Sequence, residues 1–353
     1  RPPRSTLFPY TTLFRSTLIF ALAVAVVVLF FLNIAFGSVE IPFSDVIGIL
    51  LHQQSDASVA HPAWEYIILE SRLPQAITAI FCGSSLAVSG LLLQTAFRNP
   101  LAGPGIFGIS SGAGLGVAIV MLLMGGSISV EMFSFGGFAV IMAAAFAGAM
   151  LVTGIILLLS TMVRSNVMLL IAGIMVGYLA SSAITLLNFS ATEEGVRSYV
   201  MWGMGSFNGV SLAHLPLFVT LSSLGLLASV LLIKPLNALL LGDRYAENLG
   251  VDIRRTRRLL LVVTGLLTAV ATAFCGPISF IGLAVPHISR MMIKNENHRQ
   301  LLPVTILCGA VVALFCSFVC TLPGDRGILP LNALTPLVGA PVVIYVISRS
   351  DRS

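Results

Sequence analysis

Charge is what this sequence has least of. Asp, Glu, Lys and Arg make up only 9% of its 353 residues, against roughly 25% in soluble domains. A water-facing surface cannot be built from that supply. With 57% hydrophobic residues and a mean hydropathy of +1.01, most side chains must have lipid or other helices as their solvent. That excludes a soluble enzyme or a nucleic-acid-binding domain. The net charge of +5 does not reinstate nucleic acid as a partner, because the basic residues sit in short connections between apolar runs, where they report topology.

Lysine is nearly missing too. Lys234 and Lys294 are the only two, and no G-x-x-x-x-G-K-[ST] occurs, so the chain cannot cradle nucleotide phosphates itself. If ATP drives it, another polypeptide binds the ATP. No apolar span carries a charge at its centre, although ion-coupled carriers usually keep an ionisable side chain there despite a cost of about 2.5–3.5 kcal/mol. Energy must therefore enter from elsewhere.

Catalytic and metal-binding patterns are also lacking. His52, His61, His214, His287 and His298 are scattered without metal-ligand spacing, and His287, in Val285-Pro286-His287-Ile288-Ser289-Arg290, reads as a structural hydrogen-bonding group near a helix end. Cys82, Cys275, Cys308, Cys316 and Cys320 all fall inside expected helices. Cys316 and Cys320 share a face at i, i+4, but no His or carboxylate joins them, so they count as small apolar side chains. Gly108-Ile109-Ser110-Ser111-Gly112 has the letters of a nucleophile elbow but lacks the preceding strand and the His and carboxylate partners. Its small residues, continuing through Gly116, suit close helix approach instead. No catalytic residue, metal site or bound cofactor is expected of this chain.

What the sequence does have is apolar runs of membrane-spanning length. They fall near 17–36, 74–96, 105–124, 133–160, 166–189, 212–233, 257–275, 279–293, 301–322 and 332–348, with the third, eighth and tenth short or interrupted by Gly and Pro. The expected fold is an all-α integral membrane protein of about ten transmembrane helices over residues 17–353. Residues 1–16 lack an initiator Met and run through a near-repeat at Ser5-Thr6-Leu7-Phe8, Thr11-Thr12-Leu13-Phe14 and Ser16-Thr17-Leu18-Ile19. They are expected to be non-native or disordered.

Alternating the spans puts 16 Lys and Arg on one side and only Arg72, Arg197 and Arg326 on the other. The rich side is cytoplasmic by the positive-inside rule, and so are both termini. The longest connection on that side, about 234–258, mixes Leu236, Leu239, Leu240, Leu241, Leu249 and Val251 with Asp243, Arg244, Glu247 and Asp252. This pattern predicts two short amphipathic helices broken at Gly242 and Gly250, with an apolar face that needs either a protein partner or the lipid headgroups. On the outer face, Arg72 and Arg326 stand beside membrane entry points, either snorkelling or offering cationic anchors to an acidic partner.

Three blocks resemble the FecCD-type permeases of binding-protein-dependent importers for iron siderophores, haem and cobalamin. The first is Arg72-Leu73-Pro74, Ser89-Gly90-Leu91-Leu92-Leu93-Gln94 and Phe97-Arg98-Asn99-Pro100-Leu101-Ala102-Gly103-Pro104-Gly105. The second is Leu236-Asn237 and Leu241-Gly242 with Ala246 and Leu249-Gly250-Val251. The third is Gly276-Pro277-Ile278-Ser279-Phe280-Ile281-Gly282-Leu283 with the Pro286-His287 segment, closed by Val338-Gly339-Ala340-Pro341. The resemblance spans about residues 66–348.

It implies a type II ABC importer permease in the inner membrane of a bacterium, moving ferric siderophore, haem or cobalamin by alternating access. The implied partners are a second permease copy or paralogue, two cytoplasmic ABC ATPase subunits carrying ATP and Mg, an extracytoplasmic substrate-binding protein, and the lipid bilayer. The 236–251 residues named above would dock the ATPase, and Arg72 and Arg326 the binding protein, with Gln75 where many members carry a second Arg. Breaks at Gly103-Pro104-Gly105, at Gly276-Pro277 and at Pro286 are expected to line the path as short re-entrant or broken helices. The competing classes are a secondary carrier, whose uptake would survive loss of the ATPase, and a membrane enzyme, which would need a polar catalytic cluster.

Overall fold

The computed structural model describes residues 7–37, 39, 41–51, 62–123, 135–163, 165–322, 327 and 329–350. Among them the secondary structure is helical throughout. The elements are α1 (Leu7–Ala35), α2 (Phe43–Leu50), α3 (Pro62–Tyr66), a π-helical segment (Ile67–Arg72), α4 (Leu73–Phe97), α5 (Ile109–Ala118) with a π-helical extension (Ile119–Leu123), α6 (Phe135–Met162) and α7 (Asn166–Ser190). They continue with α8 (Glu193–Gly203), α9 (Leu215–Leu231), α10 (Ile233–Leu240), α11 (Asp243–Asn248), α12 (Ile253–Cys275), α13 (Ile281–Ile293), α14 (His298–Thr321) and α15 (Leu331–Ser350). Six helices are long and apolar enough to cross a membrane; α9 with α10 forms a seventh, bent by 50°, and three shorter apolar helices complete the set. All ten expected spans have a helix in place.

The differences lie at span ends. Residues 7–16 continue α1, since extending the apolar helix that follows costs far less than starting a new one; residues 1–6, the rest of the segment expected to be non-native or disordered, lie outside the described residues. The second span begins well before residue 74, since α3 and the π-helical segment run straight into α4. Helix α8 was not expected. Its signal is nonetheless local: Thr192 Oγ1 accepts the Gly195 N–H at 3.2 Å, with Glu193 and Glu194 in the first turn against the helix dipole.

Helix α4 is the centre of the bundle. It packs on α1, α9, α10, α12, α13 and α14, and its pairing with α14 is the most extensive in the protein. Twenty of its residues are buried, many of them Gly, Ala or Ser. The apolar faces of α1 and α7 stay largely open, as suits helices whose outer neighbour is lipid.

Small residues set how close the helices come. A Cβ at Gly90 would lie 1.6 Å from the Gly282 carbonyl oxygen on α13, and one at Gly83 would lie 2.3 Å from that of Gly309 on α14. On α5, Gly112 faces Gly148 of α6, where a Cβ would sit 2.1 Å from the Gly112 oxygen, and Gly116 approaches the Ala144 oxygen equally closely. The small-residue stripe of 108–116 is thus a helix seam. Asn33 fastens α1 to α14 by donating from Nδ2 to the Leu314 oxygen at 3.0 Å.

These contacts predict that Gly90→Ala lowers stability by about 1–3 kcal/mol or more, since backbone meets backbone and no side chain can swing away. Gly154→Ala, where a Cβ meets nothing within 4 Å, should be silent. Thermal unfolding of the two variants in detergent checks the contrast.

Candidate functional site

Two regions gather the residues singled out from sequence. The first is the end of the bundle rich in Arg and Lys, where α10 and α11 link α9 to α12. Both breaks fall where the glycines do: Gly242 has φ 113 and Gly250 φ 81, left-handed conformations that side-chain-bearing residues resist. Leu236, Leu239 and Ala246 are buried against the bundle. Leu240, Leu241, Tyr245 and Leu249 remain exposed, at 38%, 62%, 55% and 58%, forming the outward apolar face expected of this segment. Val251 is half-buried.

Polar side chains hold this segment in place; Asn237 was among the residues expected to dock the ATPase, but the contacts that it, Asp243 and His298 make were not foreseen. Asn237 Oδ1 accepts the backbone N–H of His298 at 2.8 Å and lies 3.0 Å from its Nδ1, while Asn237 Nδ2 donates to Asn297 Oδ1 at 3.0 Å. His298 Nε2 is 2.9 Å from Thr95 Oγ1 on α4. Asp243 meets Arg98 Nη2 at 2.9 Å and Arg257 Nη2 at 2.8 Å. These partners lie 60 to 200 positions apart or across a helix boundary, and no periodicity reveals such pairs. Beside them is a cleft of about 400 Å³ whose lining includes Gln94, Arg98, Asn99, His287, Arg290 and Glu296. Arg290 Nη1 donates to Gln94 Oε1 at 2.5 Å and its Nε lies 3.7 Å from Glu296. His287 Nε2 is 2.8 Å from the Pro100 oxygen, a hydrogen bond that joins α13 to the 98–108 loop.

The second region is where the expected chain breaks meet. Gly103, Pro104 and Gly105 lie in consecutive turns that lead into α5, opened by Gly108 at φ 72. With Pro277, Ser279 and Phe280 they line a cavity of about 260 Å³. Sequence positions more than 170 apart are thus brought together. Residues 104–108 are turns, as a Gly-Pro-Gly run favours, and 276–279 are irregular backbone; each break leads into a short helix, α5 and α13.

The individual residues differ in what they do there. A Cβ at Gly105 would meet nothing within 4 Å, whereas one at Gly276, itself at φ 74, would lie 2.5 Å from the Trp202 oxygen. Gly276 is therefore required for packing, and Gly105 faces open space. Pro286 is buried within α13, one turn from the cavity wall. Phe280 adopts φ 67, a rare conformation for an aromatic residue, and its side chain lies over Gly339 of α15, where a Cβ would come within 2.7 Å of Phe280 Cβ. Asn332, also missed, ties the break down: its Oδ1 accepts from the Ser279 N–H at 3.0 Å and its Nδ2 donates to the Gly203 and Pro277 oxygens at 3.0 and 2.5 Å. An Asn just inside a helix start, two residues after a Pro, was the available signal.

At the opposite end, Arg72 departs from expectation. It is only 5% exposed, and its guanidinium donates to the carbonyls of Ile34 and Ala35 at 2.9 Å each and to that of Val39. The first two are orphan acceptors at the C-terminus of α1 and the third lies just beyond it, so the charge is committed to closing that end of the helix rather than presented outward. Arg326 lies outside the described residues. Gln75 donates to Ser317 Oγ at 3.1 Å and is likewise occupied within the bundle.

A sequence model of the FecCD transport family matches residues 25–349. The vitamin B12 import system permease protein BtuC of Klebsiella pneumoniae is 37% identical over 287 residues, covering 81% of this chain and 83% of that protein. BtuC of Citrobacter koseri is 34% identical over 288 residues, covering 82% and 84%. A solved structure described as an inward-facing conformation of a metal-chelate type ABC transporter superimposes with a TM-score of 0.79 at 30% identity, covering 95% of this chain and 99% of that one.

Removing the Arg72 guanidinium should cost about 1–3 kcal/mol for each carbonyl left without a donor or water. Hydrogen exchange on Arg72→Ala is therefore expected to show faster exchange in the last turn of α1, with α12 and α13 unchanged.

Proposed function

This chain belongs to the FecCD transport family, and from that premise we propose that it is the permease subunit of an ATP-driven importer for ferric siderophore, haem or cobalamin. The observation that carries the proposal is the pair of short helices at the basic end, whose face of Leu240, Leu241, Tyr245 and Leu249 is left exposed by the described residues. Two ABC ATPase subunits, holding ATP and Mg, supply that cover, one on each of two permease copies or paralogues. The basic end is then cytoplasmic, with both termini, and the membrane is the inner membrane of a bacterium.

A substrate-binding protein docks at the opposite end. With Arg72 buried, Arg197, exposed on α8, and Arg326 are the cations that the sequence offers there. The substrate passes between the two permeases, past the meeting point of the 103–105 and 276–280 breaks. ATP binding favours one orientation of the pair and hydrolysis the other, so the permease needs no tight substrate site of its own: a partner with different affinity for two states is enough to move it.

Reconstitution in proteoliposomes with the ATPase and binding protein tests this. ATP-dependent uptake of one chelate among ferric siderophore, haem and cobalamin is expected, and Leu249→Asp should lower it at least about tenfold with loss of ATPase co-purification, since a buried unpaired carboxylate at an interface is strongly unfavourable. Uptake that needs no ATPase and collapses with an ion gradient would overturn the proposal in favour of a secondary carrier.

A further inference from the structure

The two short helices of the basic end are held in unlike ways. Helix α10 is built into the bundle: Leu236 and Leu239 are fully buried, and Asn237 joins it to the start of α14 through Asn297 and His298, the latter wholly buried and reaching Thr95 on α4. Helix α11 is not. Of its six residues only Ala246 is buried. It is bounded by Gly242 and Gly250, and neither glycine is required by crowding: a Cβ at Gly250 would meet nothing within 4 Å, and one at Gly242 would find its nearest neighbour, Arg98, at 3.8 Å. Both are required by their backbone, at φ 113 and 81. Glycines that are sterically free and conformationally demanding mark hinges.

What fixes α11 is chiefly one side chain. Asp243 accepts from Arg98 and Arg257, and Arg98 also donates to the Leu239 oxygen at 2.9 Å. The Arg98 and Asp243 side chains are 44% and 42% exposed, so water competes with the pair and the contact is weak and reversible. Such a bond is a poor staple and a good latch.

Its position matters. Arg98 is the C-cap of α4 in a left-handed conformation, φ 47, and opens the loop that reaches Gly103, Pro104 and Gly105 at the cavity. A pull on Asp243 is therefore delivered to the segment that lines the chain breaks.

We propose that α11 is a lever hinged at Gly242 and Gly250, and that Arg98, Asp243 and Arg257 are positioning residues whose ion triad transmits its movement to the 98–108 loop. The proposal rests on the importer function above, with α10 fixed in the bundle and α11, which carries Tyr245 and leads to Leu249 of the ATPase-docking face, as the part that moves.

The test uses the complete importer in proteoliposomes, carrying Arg98→Gln, Asp243→Asn or both, with Lys294→Gln at the same end as control. The measured quantities are ATPase co-purified, ATP hydrolysed and chelate imported. We expect normal co-purification and hydrolysis, with chelate moved per ATP falling at least about fivefold in each single variant. The double variant should be no worse than the single ones, because both remove the same contact, and Lys294→Gln should match the unmodified protein. Uptake and hydrolysis falling together in step with co-purified ATPase would reduce the triad to a packing role. An unchanged ratio, or a double variant whose loss is the product of the two single losses, would equally overturn the proposal. Absence of ATP-dependent uptake in the unmodified importer would instead count against the importer function itself.

Discussion

A helix surrounded on all sides by other helices can be packed only as closely as its smallest side chains allow, and α4 is surrounded on all sides. Where it meets α13 and α14 the contact is backbone against backbone, Gly90 on Gly282 and Gly83 on Gly309. In lipid there is little hydrophobic gain from bringing two apolar helices together, so close van der Waals contact has to supply the association. The glycine seams supply it. They also make α4, α13 and α14 a single body: sliding one past the next would drive Cα atoms and carbonyls of adjacent turns into each other. The cavity wall, the cleft at the basic end and the seat of α10 are all mounted on that body.

This arrangement explains why function sits at the ends of elements. The long spans α12 and α14 are 78% and 56% buried over their apolar windows and have little freedom. The breaks at 98–108 and 276–280 and the short helices α10 and α11 are where backbone conformation changes and where polar side chains gather. Arg98 illustrates the economy of the design, since one residue caps α4, braces α10 through the Leu239 carbonyl and reaches Asp243. Arg72 shows the opposite outcome: a cation at the end of the bundle away from α10 and α11 is drawn inward because the carbonyls of Ile34 and Ala35, at the end of α1, and of Val39 beyond it lie within its reach.

Much of this was legible from composition and pattern. The ten spans follow from apolar length, and the two breaks of the 234–258 connection follow from Gly242 and Gly250 interrupting an amphipathic pattern. The meeting of 103–105 with 276–280 was marked only as two separate interruptions, because nothing in a linear sequence states which breaks face each other. Asn332 was passed over for the same reason, and so were the partners of His298, Asn237 and Asp243: each is an ordinary polar residue until its partner, elsewhere in the chain, is in place. The burial of Arg72 was not legible because it depends on the acceptors around it, here the carbonyls of Ile34, Ala35 and Val39, which sequence does not display. Helix α8, by contrast, carried its own N-terminal signal in Thr192-Glu193-Glu194 and was readable.

The most direct test of the account is a distance measured across the glycine seams while the transporter works. Spin labels at Met291 on α13 and Phe315 on α14, both partly exposed, report the separation of the two helices that clasp α4. In the assembled importer the separation is predicted to be the same with ATP, with ADP and without nucleotide, because the seams allow no slip. A nucleotide-dependent shift of several ångströms, of the order of about one helical turn, would contradict a rigid core and place the moving parts inside it.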